Sequence, residues 1–553
     1  MDEQERILRE VERDVLDRYH HRFALLSRNA NVAIAAVLRD CVDVFRELRS
    51  GAIPKNTENA KEQTADEGFR GIAHCLRWIR TCCPRLITVP NPGGTVLSEE
   101  ARDLLRWGAT YDPLYNQHTA FSRRVGGKRL AEAKVDTDGR IIAFIPTWNV
   151  DPLFFVSQVE ARRAESQRRV AAYPDAQLCD LFKSWFESAQ PQQASIRFDD
   201  RKIPSSGALQ VALDWLNGTC LPELLDDCWL GGFSAGALRR VLAAIHVAAL
   251  FRVRLEDVSD ERHGPVLSHV LRLPWHNLIE WLYSLSDVPR PEISEIMRTV
   301  TFDSEPERVT LAHKPFILGC DEQVFFAPRL ILALNLSHMV VGAMNLTSSG
   351  KAQYNAMSGQ IASSVVTSIA RRIKTGCLVN ASLVTEREFR LPDGNSVKPD
   401  LVLLSADGQE LFTIDVKNAI PPFGVGYIWD DLVEVQRKWK PQIESYISAF
   451  RNSPQILSQH FQVSADLSPK VYGLIILRWP FPIPVEFGEG LGAIDAPTLF
   501  DNLQSDNPSR SFRELYSWIR NRPDVAVVQD LAWKEREVPV DDWTYRFSVL
   551  TPT

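Results

Sequence analysis

Between Glu386 and Tyr446 the chain spaces metal-ligating and cationic side chains so that they can converge. Pro399-Asp400 lies within one apolar run, Asp415-Val416-Lys417 ends the next, and Gln442 and Tyr446 follow. Val397 to Leu404 and Leu411 to Lys417 are short and rich in branched or aromatic residues. The Ser405-Ala406-Asp407-Gly408 segment between them carries an Asp-Gly step, a strong hairpin signal. Side chains alternate across a strand, so Phe412 and Ile414 share one face while Thr413, Asp415 and Lys417 share the other. In the register such a turn implies, Asp400 lies opposite or diagonal to Asp415, and both carboxylates can touch one ion. Hard oxygen ligands favour Mg²⁺ or Mn²⁺ over zinc. With an ammonium beside them, these are the parts needed for metal-assisted phosphodiester hydrolysis.

Several elements must position that set. Leu378 to Arg390 reads as a strand, turned by Leu391-Pro392-Asp393-Gly394-Asn395 into the Asp400 strand. Glu386 and Glu388 share a face of it. One of them can supply a third carboxylate, and Glu388, nearer the hairpin, is the choice. Gln360 to Ile373 has apolar residues at helical spacing, with Arg371, Arg372 and Lys374 at its end. After Asp430-Asp431 a helical stretch runs to Phe450, and Val471 to Leu477 is an all-apolar strand. Gln442 and Tyr446, four residues apart, share one helix face. Pro441 biases Lys440 away from helical angles, so a break is expected near 440.

Helix, three antiparallel strands, helix, strand: in this order and in its residues the segment resembles the PD-(D/E)xK, or restriction-endonuclease-like, superfamily. Pro399-Asp400 matches the PD and Asp415-Val416-Lys417 the (D/E)xK, while Gln442 and Tyr446 are similar to the Gln-x-x-x-Tyr of its RecB-like branch. The resemblance implies that Asp400 and Asp415 bind Mg²⁺ or Mn²⁺ and that Lys417 orients the attacking water. Gln442 and Tyr446 would position water or phosphate. It implies DNA before RNA as substrate, in prokaryotic restriction, anti-phage defence or DNA repair. A catalytically degenerate fold that only binds is the alternative. Arg437, Lys438 and Lys440 beside the site, with Arg371 and Arg372, are the candidate phosphate contacts.

The 553 residues exceed one ordinary core. The expected organisation is multidomain α+β. A mainly helical regulatory or targeting region occupies 1–300, in which Glu5 to Arg49 has long helical periodicity, with a polar linker near 55–67 and a small β element near 129–146. The nuclease-like domain covers 305–480, and 481–553 forms a C-terminal cap or partner surface. Arg308 to Leu318 and Gln323 to Leu330 are expected to pair and lead into the nuclease-like domain. The N-terminal part is the place for an activating ligand or protein partner, and a homo-oligomer is compatible with it.

Net charge is −7, which argues against indiscriminate coating of nucleic acid. Between Lys351 and Pro480, however, basic residues outnumber acidic ones by two. The charged opening Met1 to Arg6 is unlike a signal peptide, and the apolar run Val241 to Phe251 is too short to span a bilayer, so a cytoplasmic protein is expected. The nine cysteines form no C-x-x-C pair. Their one cluster, Cys82-Cys83 with His74 and Cys75, reads as the core face of a helix. Arg123-Arg124, Lys128-Arg129 and Arg162 to Arg169 read as solvated basic clusters. Gly232-Phe233-Ser234-Ala235-Gly236 fits a nucleophile elbow, but the acidic stretch before it is no strand, so Ser234 is read as a helix cap rather than a serine hydrolase nucleophile.

Overall fold

The computed structural model describes residues 3–49, 71–85, 94–122, 124–125, 128–129, 131–146, 175–188, 205–221, 224–263, 269–303, 309–346, 351–375, 380–418, 434–464, 466–478, 488–504, 509–520 and 531–552. The linker near 55–67, the Arg162 to Arg169 cluster, Asp430-Asp431 and Pro482 with Pro484 lie outside these residues. The fold mixes helices with several mixed sheets, which agrees with the expected α+β class. Among the described residues no helix is long and apolar enough to cross a membrane.

The sheet that carries the candidate site grows from its turns. Gly408 at φ 73° and the Ser405 N–H to Glu410 carbonyl bond close the Asp407-Gly408 turn, and Asp407 Oδ1 accepts from Ser405 Oγ and Gln409 N. The order is α1 (Lys351–Thr375), β1 (Ser382–Thr385), β2 (Leu401–Leu404), β3 (Glu410–Lys417), α2 (Lys440–Asn452), β4 (Lys470–Leu477) and β5 (Leu491–Asp495). These strands form one five-stranded sheet in the order β5-β4-β3-β2-β1. β1, β2 and β3 are antiparallel neighbours, whereas β4 runs parallel to β3, and β5 parallel to β4.

Period-two alternation sorts the apolar side chains onto two faces. Leu401, Leu403, Phe412, Ile414, Tyr472, Leu474 and Ile476 share a core with Met357, Ile361, Val365 and Ile369 of α1. Val402, Leu404, Leu411, Val471 and Ile475 share the other with Ile443, Tyr446, Ile447 and Phe450 of α2. The two helices thus sandwich the sheet. Gly473 lets α2 come close, since a Cβ there would meet Ile447 Cδ1 at 2.5 Å and Ile443 Cγ1 at 3.0 Å. Gly473→Val is expected to cost about 1–3 kcal/mol by overpacking, read as a lower urea midpoint. The same change should displace Gln442 and Tyr446, which α2 carries.

The chain after 480 joins two sheets. β5 extends the site's sheet, followed by helices Ala496–Gln504 and Phe512–Arg520, and Phe512 packs on Phe412 with ring centroids 5.1 Å apart. The last hairpin, Leu531–Val540 with Trp543–Pro552, pairs in parallel with Ile141–Pro146 of the Asp138-Gly139 hairpin. Phe316–Leu318 and Gln323–Phe326 also pair, but their other neighbours are Thr301–Phe302 and Leu271–Pro274, in a separate sheet.

Three local features differ from the periodicity. Glu5 to Arg49 is no continuous helix: Glu3–Val11 and Ala30–Arg49 are separated by short π and 3₁₀ turns. Leu16 and Leu25 are both fully buried, yet at about 100° per residue positions nine apart fall on opposite faces of a straight helix. Phe389–Arg390 does not continue β1 but pairs with Ser396–Val397, because Glu386 at φ 49° turns the chain out of the ladder. The helix does not break at 440 either. A π turn, Val435–Trp439, leads directly into α2, and the Lys440 N–H reaches back to the Val435 carbonyl while Lys440 stays helical. The wide turn shifts the carbonyl register just where Pro441 lacks an N–H.

Candidate active site

Leu401 faces Ile414 across the β2–β3 ladder, so one step further Asp400 faces Asp415. The turn therefore delivers the carboxylate pair. Asp400 Oδ2 accepts the Val416 N–H at 2.7 Å, and Asp415 is 2% exposed. On the same face Lys417 Nζ lies 2.5 Å from Asp415 Oδ2. That contact is an ion pair off hydrogen-bond alignment, since Asp415 Oδ2 accepts no hydrogen bond. Lys417 Nζ donates instead to Gln442 Oε1 at 2.9 Å; Gln442 Nε2 donates to the Tyr446 hydroxyl at 2.7 Å, and that hydroxyl donates to the Lys398 carbonyl at 3.2 Å. An unbroken chain of polar contacts thus runs from Asp415 through the two α2 residues back to the residue before Pro399-Asp400.

Burial and the neighbouring Asp415 carboxylate push the Asp400 carboxyl up to about 7, against the opposing pull of the Val416 N–H and Lys417. Burial also raises the Tyr446 hydroxyl, which keeps it a neutral donor. Two crowded carboxylates, one with an oxygen that accepts no hydrogen bond, against a single ammonium are the setting a divalent cation fits, and the all-oxygen donor pair suits Mg²⁺ or Mn²⁺. Asp400 and Asp415 would hold it.

The sign of the Asp400 shift gives a pH prediction. Its folded value is raised, so it stabilises the cation-free fold most below its ordinary carboxylate range, and that contribution is lost as pH rises through about 7. Cation binding runs the other way, because it requires the proton to leave. The gain in melting temperature from saturating Mn²⁺ should therefore grow between roughly pH 5.5 and 8 and level off above.

Glu388 and Glu386 sit differently. Glu388 is exposed in the side hairpin, where its carbonyl accepts from His460 Nε2 at 2.7 Å. Glu386 lies next to Asp400, its N–H donating to the Asp400 carbonyl at 2.8 Å, and its carboxylate accepts from Ser363 Oγ of α1 at 2.7 Å. Among the described residues no third carboxylate joins Asp400 and Asp415 in a set whose ligand atoms all lie within 4.8 Å of one another.

Arg437 and Lys438 are exposed on the π turn, with Lys438 paired to Glu434 at 2.8 Å, and Lys440 lies 4.0 Å from Glu444. These three share a continuous helix with Gln442. Arg371 and Arg372 end α1, on the other side of the sheet, where Arg372 stacks over Phe500 at 4.3 Å.

One supporting group escaped the sequence reading. The Asn418 carbonyl accepts the Tyr354 hydroxyl of α1 at 3.1 Å, its Oδ1 accepts from Arg478 at 3.3 Å, and the Arg478 N–H donates to the Lys417 carbonyl at 3.0 Å. Arg478 is 3% exposed. The available signal was a charged residue placed directly after the apolar run Val471 to Leu477. Ser234 caps helix Ala235–His263, its Oγ accepting the Ala237 N–H at 3.1 Å.

Comparison with known protein families, curated proteins and solved structures finds no match to this chain, so the functional reading rests on the geometry of the site.

Proposed function

We propose that this chain is a metal-dependent nuclease of the PD-(D/E)xK type that hydrolyses phosphodiester bonds, with DNA as its substrate. The observation that carries the reading is the convergence of the Asp400–Asp415 pair with Lys417 and the Gln442–Tyr446 clamp at one end of a mixed sheet sandwiched between two helices. The helix–three-strand–helix–strand order around it supports the same reading.

A divalent cation held by Asp400 and Asp415 would supply Lewis acidity toward the phosphate. Lys417 is pinned between Asp415 and Gln442, so its ammonium is set in place before substrate arrives and can orient a water and stabilise charge developing on a phosphoryl oxygen. Tyr446 holds Gln442 from behind and ties it to the Lys398 backbone. Tyr446→Phe removes this brace without removing a reacting group, and a loss of about tenfold in cleavage rate is expected. Arg437, Lys438 and Lys440 line the approach along the same helix and meet the backbone phosphates. The helical N-terminal region fits a targeting or sensing role, as a restriction, anti-phage or repair enzyme requires.

Incubation of the full chain with supercoiled plasmid, linear duplex, single-stranded DNA and RNA in Mg²⁺ or Mn²⁺ tests the proposal. Metal-dependent cutting of a DNA form supports it as stated, and cutting of RNA alone changes the substrate. Cation binding without any cutting would make the fold a binding module.

A further inference from the structure

We propose that His20, His21 and Cys82 form a second metal site, specific for a borderline-soft divalent ion such as Zn²⁺, that clips the 3₁₀ turn Tyr19–Arg22 onto the end of helix 71–82. The three side chains offer ligand atoms that all lie within 4.8 Å of one another, the only such trio of His, Cys, Asp or Glu among the described residues. Cys82 Sγ is 3.9 Å from His21 Nδ1. A tetrahedral zinc with bonds of about 2.3 Å to sulfur and about 2.0 Å to nitrogen keeps its ligand atoms about 3.5 Å apart, so Cys82 and His21 stand within a few tenths of an ångström of that spacing, and His20 closes the site by a shift of about 1 Å at most.

A second observation points the same way. His20 is 8% exposed, yet its Nδ1 has no hydrogen-bond partner. Stacking on Trp78, with centroids 5.0 Å apart and planes 4° from parallel, accounts for the burial of the ring but not for a nitrogen withdrawn from water. The other thiols nearby are differently engaged: Cys75 Sγ faces the Leu104 carbonyl at 3.3 Å and Cys83 Sγ the Leu25 carbonyl at 3.7 Å. Cys82 alone among them turns toward the histidines.

The donor set decides the metal. Imidazole and thiolate select zinc and its neighbours, whereas the Asp400–Asp415 pair selects Mg²⁺ or Mn²⁺, so the two sites load independently. Three protein ligands leave one position of a tetrahedron for water.

The test uses the full chain carrying Asp415→Ala, which removes the oxygen site, titrated with Zn²⁺ and with Co²⁺ as a coloured substitute. The expected result is one Zn²⁺ per chain retained after dialysis, a thiolate-to-Co²⁺ charge-transfer band, and a higher melting temperature with Zn²⁺ that Mg²⁺ does not reproduce. Cys82→Ser should abolish the band. His21→Gln, at an exposed position that leaves the fold undisturbed, should weaken Zn²⁺ binding at least about tenfold. Absence of retained Zn²⁺, or Co²⁺ binding without the band or indifferent to Cys82→Ser, overturns the site.

Discussion

Asp415→Ala is expected to reduce cleavage at least about 10³-fold while leaving the fold intact. Asp415 is 2% exposed, faces Asp400 across the ladder and contacts Lys417, so its loss takes away one of the two carboxylates proposed to hold the cation and one of two contacts that place the ammonium. A carboxylate with a purely structural role would cost stability when removed. This one should not, because Asp400 is pushed up to about 7 by burial and by Asp415 itself, and the crowding disappears with Asp415. Lys417 keeps its bond to Gln442. Thermal melts without metal above about pH 7 should accordingly show Asp415→Ala no less stable than wild type, and Asp400→Asn, which can still accept the Val416 N–H, should behave alike. A large drop in melting temperature together with lost activity would assign the pair to structure instead.

Lys417→Met is the second large effect, a loss of about 10²–10³-fold in turnover. Here metal binding separates the roles. Removing a cation beside Asp415 cannot weaken a divalent ion's hold on the carboxylates, so Mn²⁺ affinity by calorimetry should be unchanged or tighter even as cutting fails. Lys417→Arg should not restore the rate, because a planar, forked guanidinium does not replace a compact charge held between Asp415 Oδ2 and Gln442 Oε1. Weaker Mn²⁺ binding in Lys417→Met would mean that the lysine organises the carboxylates rather than the reaction.

The parts of the site that local chemistry dictates were legible in the residues. The Asp407-Gly408 turn sets the β2–β3 register, alternation puts Asp415 and Lys417 on one face, and four-residue spacing stacks Gln442 and Tyr446. What escaped depends on tertiary contacts. Glu386 leaves the strand pattern through a left-handed backbone that no residue type announces, and this separates it from Glu388. The expected break at Pro441 is absorbed by a π turn whose wide register cannot be read from proline alone. Pairing of Trp543–Pro552 with Ile141–Pro146 joins segments some four hundred residues apart, for which neither strand carries a local signature. The same holds for His20, His21 and Cys82. Proximity along the chain grouped Cys82 with His74, Cys75 and Cys83, whereas the fold turns those three toward Asp112, Leu104 and Leu25.

Single-turnover cleavage of a linear DNA duplex by wild type and Asp415→Ala, each in Mn²⁺ and in excess chelator, tests the central claim most directly. Wild type should cut in Mn²⁺ alone, with no cutting in the other three reactions. Cutting that survives the chelator or the loss of Asp415 would contradict it.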